Sequence, residues 1–495
     1  MKLFFPPGFS EWMLFAVLLS GIALFIAAAE LVRKKFNRSP EVTRKLVHIL
    51  TGVLIYFAPQ LFNSGIPAIL LALIFIIVNF AAERFDLLKG MHGTNRRSYG
   101  TVYYPLAFLI LVLLFWNETP AIISISILVL AISDAAAAIV GGNLSSPHNY
   151  FLTSDKKSLE GSVTMFVATF LVVVLALRFN PLTAISNIGF LVLAGFAVAS
   201  FATMWEAISS KGFDNLTVPL AAAFILHFLL TPLPHHHAGQ LLLGIFLAAT
   251  IAVVSLRFHF LKPSGSAATF LLATIIFGIG GWQWTVPILT FFVASSLLSK
   301  FGKKRKSAFD LLFEKSDTRD AGQVAANGGV TGMLMLCWYV APSNEFWYPL
   351  YLASLAAVTA DTWGTEIGVL AHASPRSILT MKRVETGTSG GVSLAGIVGG
   401  ACGAFLIALS GSFWYGLDVR LVVFVVLSGI AGSLADSFLG ATIQAQYRCV
   451  MCGKVTEKKR HCEKETSLVR GVRWINNDIV NWVCAIVGVS VMAVL

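Results

Sequence analysis

Charge is scarce in this chain. Only 12% of its 495 residues are Asp, Glu, Lys or Arg, while 56% are hydrophobic, and the mean hydropathy is +0.78. No soluble fold needs a composition of that kind, so a soluble class is excluded. The apolar–polar alternation of lipid-embedded barrel strands is missing too. There is no Walker A loop, no Gly-x-Gly-x-x-Gly after a strand, no nucleophile elbow and no His-Glu-x-x-His. Strands of any kind are not expected. Cysteine is sparse, at six residues, and four of the six lie in or beside apolar runs or basic loops. No disulfide framework is indicated.

What the chain does have is apolar runs of ~20 residues recurring from end to end, the length that crosses a bilayer. In lipid the backbone must satisfy its own hydrogen bonds, so these runs read as helices. The expected class is an all-α polytopic membrane protein with about sixteen transmembrane helices. The net charge of +11 is carried in short loops between the runs, at 33–45, 84–97, 156–157, 211, 257–262, 300–319, 376–383 and 448–473. Those clusters follow every second run, and the loops between them are short and nearly uncharged. This is the positive-inside pattern, with the N-terminus outside and every basic loop in the cytosol. It argues against nucleic acid as the partner. The first run has a basic flank after it, the wrong polarity for a cleaved signal peptide.

The sequence also repeats. Asp134 aligns with Asp361 and Gly141 with Gly368. Pro147 aligns with Pro375 with one residue of slack, and Leu152-Thr153 with Leu379-Thr380. Upstream, Phe85-Asp-Leu-Leu88 matches Phe309-Asp-Leu-Leu312, and Arg97-x-x-Gly-x-Val matches Arg319-x-x-Gly-x-Val. Order, spacing and side of the membrane are kept. The chain therefore reads as two parallel eight-helix repeats, with domains 1–235 and 236–495. The histidines His235, His236 and His237 at the join read as an exposed tract rather than a metal site.

Asp134 and Asp361 sit at the ends of apolar helices, where a carboxylate is costly and functional by default. Hard oxygen ligands beside a phosphate site suggest Mg²⁺. Downstream of Asp134, Lys156 and Lys157 can neutralise phosphate oxygens, and Glu160, Gly161 and Ser162 open a helix whose N–H groups favour anions. The second half offers Arg376, Lys382 and Arg383, then Thr388, Ser389 and Gly390 in a Gly/Ser loop that also opens a helix. Arg44 and Lys45 precede His48, which can act as a base on an alcohol or orient phosphate. Arg97 and Arg319 mark equivalent basic loops. Further along come Glu206 with Asp214 and Asn215, and Glu366 and Asp436 with Asn477 and Asp478. These residues can complete metal or ribose sites at helix ends. In the last basic loop, Cys449-x-x-Cys452 has zinc-ribbon spacing, with Cys462 as a third candidate, but the second pair of a ribbon is missing and free cytosolic thiols are the competing reading. Adjacent His461 and Cys462 are not expected to ligate together.

Residues Arg44-Lys-Leu-Val-His48, Ser133-Asp134, Gly141, Lys157-Ser-Leu-Glu-Gly-Ser162, Glu206 and Asp214-Asn-Leu-Thr-Val-Pro219 together resemble the dolichol kinase and phytol kinase family. Residues Arg319-Asp-Ala-Gly-Gln-Val-Ala-Ala-Asn327, Ala360-Asp-Thr-Trp-Gly-Thr-Glu366, Gly387-Thr-Ser-Gly-Gly-Val392, Asp436 and Asn477-Asp478 are similar to a second membrane family that includes the plant phytyl-phosphate kinase. The resemblances imply consecutive reactions. The first half would phosphorylate an isoprenoid alcohol such as phytol, geranylgeraniol or a polyprenol. The second would extend the isoprenyl phosphate to the diphosphate. CTP is the first family's usual donor, with Mg²⁺. In this reading Asp134, His48, Asp361 and Arg319 are catalytic. The implied home is a bacterial inner membrane or an organellar envelope.

Two other classes compete. A cytidylyltransferase would use the same nucleotide, metal and membrane acceptor but release pyrophosphate. A transporter would also carry internal repeats, but with polar sites at mid-membrane rather than at helix ends.

Overall fold

The computed structural model describes residues 2–36, 40–85, 99–231, 237–300, 318–371, 374–415 and 418–495. The chain divides into two compact units, Met1–Ala238 and Gly239–Leu495. Among the described residues, ten helices are long and apolar enough to cross a membrane, and two shorter apolar helices accompany them. The molecule is thus a helical, multi-pass membrane protein.

In the first unit the order is α1 (Phe9–Phe36), α2 (Pro40–Tyr56), a single turn α3 (Ala58–Leu61), α4 (Ile66–Arg84) and α5 (Gly100–Phe115). Then α6 (Pro120–Leu128) runs through a π-helical turn, Val129–Asp134, into α7 (Ala135–Asn143). Strands β1 (Asn149–Tyr150) and β2 (Lys157–Ser158) follow, then α8 (Leu159–Phe179), α9 (Ile188–Ile208) and α10 (Asp214–Leu230). The α6–π–α7 rod is the core of this unit: Ile122, Ile123, Ile125, Ile127, Val129 and Leu130 are fully buried. On α1, Val17, Leu24 and Leu31 recur at heptad spacing and stay exposed, a stripe suited to face lipid.

The second unit contains α11 (Ala238–Arg257), α12 (Pro263–Lys300), α13 (Ala321–Val340) and α14 (Trp347–Leu370), then strands β3 (Arg376–Ser377) and β4 (Gly391–Val392). Helices α15 (Leu394–Tyr415) and α16 (Val419–Thr442) precede strands β5 (Gln446–Cys449), β6 (Val455–Thr456), β7 (Arg460–His461) and β8 (Lys464–Arg470), and α17 (Asn477–Val494) closes the order. Helix α12 breaks at Gly281, whose φ of 63° is a conformation glycine adopts at little cost. Helix α14 is the core here. Its small residues let neighbours approach closely: Gly400 stands against the Ala360 carbonyl, Gly429 against that of Ala356 and Gly488 against that of Ala353.

The absence of strands expected from the sequence needs correcting. β1 and β2 pair antiparallel, as do β3 and β4, each a pair of two-residue strands leading to a helix start. A four-stranded sheet of order β6-β5-β8-β7 occupies 446–470. These segments lie between the apolar helices, where the all-helix constraint of lipid does not apply, and Tyr447, Val455, Thr456 and Val469 supply strand-forming side chains.

Candidate active site

In the first unit the core rod places the site. The π-helical turn adds one residue to the ladder and ends on Asp134, the kind of irregularity found at functional positions. Carboxylate oxygens of Asp134, Glu206 and Asp214 lie within 4.8 Å of one another. Lys157 is turned inward from the start of β2. It ion-pairs with Glu206, and its ammonium is 3.4 Å from Asp214 Oδ2. Burial alone would lower that ammonium, but the Glu206 and Asp214 carboxylates outweigh it and hold its pKa above the ordinary lysine value.

A cavity of about 910 Å³, mouth included, opens beside this cluster. Most of its lining is apolar, with Ile22, Ile55, Leu71, Ala72, Phe75 and Phe108. Its polar lining includes Arg44, Lys45, His48, Asp134 and Asn215. His48 Nε2 is 3.3 Å from the Leu130 carbonyl oxygen, inside the π-turn, and its ring leans on Tyr104. Donation from Nε2 leaves Nδ1 as the basic nitrogen.

The rest of the β2–α8 segment is occupied with its own structure. Lys156 is exposed. Glu160 accepts from the His148 backbone and pairs with its ring, Nδ1 to Oε1 being 2.6 Å. The Gly161 N–H is capped by Ser158 Oγ at 3.1 Å, and Ser162 Oγ bonds the Tyr150 hydroxyl at 2.6 Å. The helix start expected to offer free N–H groups to an anion therefore uses one of them on its own cap. Arg97 lies outside the described residues, as do His235, His236 and the lysines Lys303, Lys304 and Lys306.

The second unit holds a polar cavity of about 1920 Å³, mouth included. Asp361 of α14, Glu366, Asp436 of α16, Asn477 and Asn481 of α17, and Arg319 line it. The Asp361 and Asp436 carboxyls both face this cavity. Asp436 Oδ2 and Asn481 Oδ1 are buried without a hydrogen-bond partner among the described residues. Such orphaned oxygens are costly, and with Asp361 they are the hard donors a divalent cation takes. The first unit's triad also fits such a cation, with Lys157 already neutralising part of its charge. Thr388, Ser389 and Gly390 line the same cavity. Arg376, Lys382 and Arg383 are exposed and do not line it, and Arg376 donates instead to the Met381 carbonyl at 3.0 Å. Asp478 begins α17 but likewise does not line the cavity.

Arg319 is half-buried, and loss of solvent pulls its guanidinium down to about 10 while Glu366 works against the shift. It also lines a second, apolar cavity of about 650 Å³ with Ile276, Ile288, Phe291 and Phe292. Arg319, Gln323 and Asn327 thus stand where an apolar chamber meets a polar one. The sequence reading missed Asn79 and Tyr104 in the first cavity and Gln444 and Glu457 in the large one. Asn79 was visible as a polar residue inside an apolar run. Glu457 carried no such signal.

The family model "Integral membrane protein DUF92" matches residues 246–489. Protein PGR of Arabidopsis thaliana is 33% identical over 272 residues, covering 49% of this chain and 92% of that protein. A phytol kinase of Synechocystis is 33% identical over 221 residues, covering 44% of this chain and 93% of that protein. Protein VTE6 of Arabidopsis thaliana is 26% identical over 239 residues, covering 48% and 65%. No solved structure matches the chain. Its identity over nearly the whole of a phytol kinase, on a polytopic helical frame, makes this chain a member of the phytol kinase-like family of integral membrane proteins.

Proposed function

We propose that the chain is a bifunctional membrane kinase that converts an isoprenoid alcohol to its monophosphate in the first unit and then to the diphosphate in the second. The observation that carries the reading is the lining of the first cavity, which sets mostly apolar walls beside His48, Asp134, Arg44 and Lys45. An isoprenoid tail fits the walls, and its hydroxyl is then presented to the polar lining. The phytol kinase relative acts on such an alcohol by its name.

In the first reaction the alcohol oxygen attacks the terminal phosphorus of a nucleoside triphosphate, CTP in this proposal. The bond to the nucleoside diphosphate breaks, and the alcohol proton passes to His48 Nδ1. Arg44 and Lys45 offset the charge on the transferring group. In the second unit the acceptor is already an anion and needs a cation rather than a base. Arg319 stands at the junction of an apolar and a polar chamber, suited to hold a lipid phosphate with its tail on one side. A bound Mg²⁺ supplies charge neutralisation of the triphosphate. Asp134, Glu206 and Asp214 would hold it in the first unit, and Asp361 and Asp436 in the second.

The reading includes sixteen spans. Helices α2, α13 and α14 carry polar site residues and fall short of the hydropathy of the ten. Adding them and the two shorter apolar helices, and counting α12 twice across Gly281, gives that number. A local likeness supports two repeats. Gly141 stands against Ser158 Oγ and Gly161, and Gly368 against Ser393 Oγ and Gly396, so each aspartate helix meets the next helix start through the same Gly–Ser–Gly contact.

The test uses membranes carrying the protein, γ-labelled CTP or ATP, and geranylgeraniol or phytol, with lipid mono- and diphosphates resolved. Wild type should make diphosphate, Asp134→Ala no product from alcohol, and Asp361→Ala only monophosphate. Pyrophosphate release with a nucleotidyl-lipid product would replace this reading with a cytidylyltransferase. No label in any lipid would sink the kinase.

A further inference from the structure

Four potential metal ligands that the proposed kinase chemistry does not use converge in the sheet at 446–470. Sulfur atoms of Cys449, Cys452 and Cys462 and a ring nitrogen of His461 lie within 4.8 Å of one another. His461 Nδ1 is 3.6 Å from Cys452 Sγ and 3.2 Å from Cys462 Sγ. A tetrahedral zinc at ordinary bond lengths sets sulfur–nitrogen edges of roughly 3.5 Å. We propose that Cys449, Cys452, His461 and Cys462 form a closed structural zinc site that fastens this sheet beside the second unit's polar cavity.

The backbone is shaped for that role in two places. After Cys449 the chain folds back on itself: the Gly453 N–H donates to the Cys449 carbonyl at 3.0 Å, and the Cys449 N–H to the Lys454 carbonyl at 2.9 Å. Gly453 takes a φ of 70°, and the Met451 N–H points at Cys449 Sγ, 3.4 Å away. An amide aimed at a sulfur supports its thiolate form, the form that binds metal. This Cys-x-x-Cys-Gly turn is one half of a zinc knuckle.

The other half is a two-residue hairpin turn. His461 pairs with Lys464 across β7 and β8, and the residues between them, Cys462 and Glu463, have φ of 50° and 62°. Left-handed turns of this kind select Gly, Asn or Asp. A cysteine held there is strained unless something outside the turn compensates it. The same turn resolves the expectation that neighbouring His461 and Cys462 cannot ligate together. The His461 ring nitrogen comes from the end of a strand and the Cys462 sulfur from a left-handed residue, and both reach the point occupied by Cys449 and Cys452.

The sheet bears on the cavity. Just after β6, Glu457 lines the polar chamber and accepts from Gln444 Nε2 at 2.9 Å. Gln444 Oε1 in turn accepts from Ser389 Oγ at 2.9 Å. The proposed zinc fixes the hairpins on both sides of Glu457 and so holds this wall of the chamber.

The test is metal analysis of the full chain purified in detergent without chelators. About one zinc per chain is expected, as for a closed four-ligand site. Cys452→Ser and Cys462→Ser should each drop bound zinc at least fivefold, while Cys402→Ser, outside the cluster, should leave it unchanged. If the serine variants do not fold, the wild-type chain answers alone. Zinc should be released on titrating its thiols with a mercurial, and cobalt should replace it with the intense visible absorption of a tetrahedral, thiolate-bound ion. A wild-type chain without zinc and without that cobalt spectrum overturns the proposal. So does zinc that survives Cys449→Ser/Cys452→Ser.

Discussion

Lys157 crosses from the start of β2 to ion-pair with Glu206 on α9. The lysine side chain is 16% exposed and the glutamate 8%, so the pair is largely out of water. Asp134 and Asp214 stand in the same cluster. A cation removed from such a place leaves carboxylates facing one another in a low dielectric, and breaking a buried pair on one side costs about 3–5 kcal/mol. Lys157→Met should therefore lower the melting temperature in detergent by several degrees and abolish alcohol phosphorylation. Adding Glu206→Gln should recover part of the stability and none of the activity. A Lys157→Met protein that melts like wild type would show the pair to be idle.

The first cavity should measure its substrate. Ala72 is buried and lines the apolar wall with Phe75 and Phe108. Ala72→Phe fills space that the tail of a long alcohol needs. A single methylene in an apolar pocket is worth roughly 10–200-fold in specificity, and this change adds a whole ring. The ratio kcat/KM for geranylgeraniol should fall at least tenfold, while a shorter prenol such as geraniol loses little. Equal losses for both alcohols would place the tail elsewhere.

The repeat contact can be tested through its glycines. A Cβ on Gly141 would stand 2.6 Å from Ser158 Oγ, whereas one on Gly368 would stand 3.3 Å from Ser393 Oγ. The first forces the Ser158 hydroxyl away from the Gly161 N–H it caps, and a lost cap costs about 1 kcal/mol. The second asks for a shift of a few tenths of an ångström. Gly141→Ala should lower the melting temperature more than Gly368→Ala. The opposite order would mean that Ser158 reorients without loss.

Parts of this site were legible in the sequence for a physical reason. Asp134 and Asp361 stood out because a carboxylate in an apolar run is too costly to be incidental, and each lines a cavity. The direction of Lys157 was not legible. A Lys-Lys pair in a loop reads the same whether its side chains face water or a buried carboxylate, and here the two lysines do one each. The π-turn before Asp134 was equally hidden, since it depends on tertiary packing rather than on local propensity. Spacing revealed Cys449 and Cys452, but the part of His461 waited on a left-handed turn that no residue preference announces. Glu457 sat unremarked in a run of lysines. Its place in the chamber is fixed by strand register, which pattern alone does not give.

Arg319 yields a prediction in pH. Burial lowers its guanidinium to about 10, so it remains a cation across the working range and loses charge only above that value. Lysine starts from ~10.4 when exposed, and the same burial would push it down further. In the proposed second reaction the cation form holds the lipid phosphate, so activity must fall as pH rises through the pKa of whichever residue stands there. Phosphorylation of the isoprenyl monophosphate should stay flat to pH 9 in wild type. In Arg319→Lys it should approach wild type at pH 6 and decline steadily between pH 7 and 9, while Arg319→Met should be inactive at every pH. The readout is a pH–rate profile with monophosphate supplied directly, run beside alcohol phosphorylation, which the substitution should not affect. A pH-independent Arg319→Lys enzyme would mean that the charge at this position does not meet the substrate.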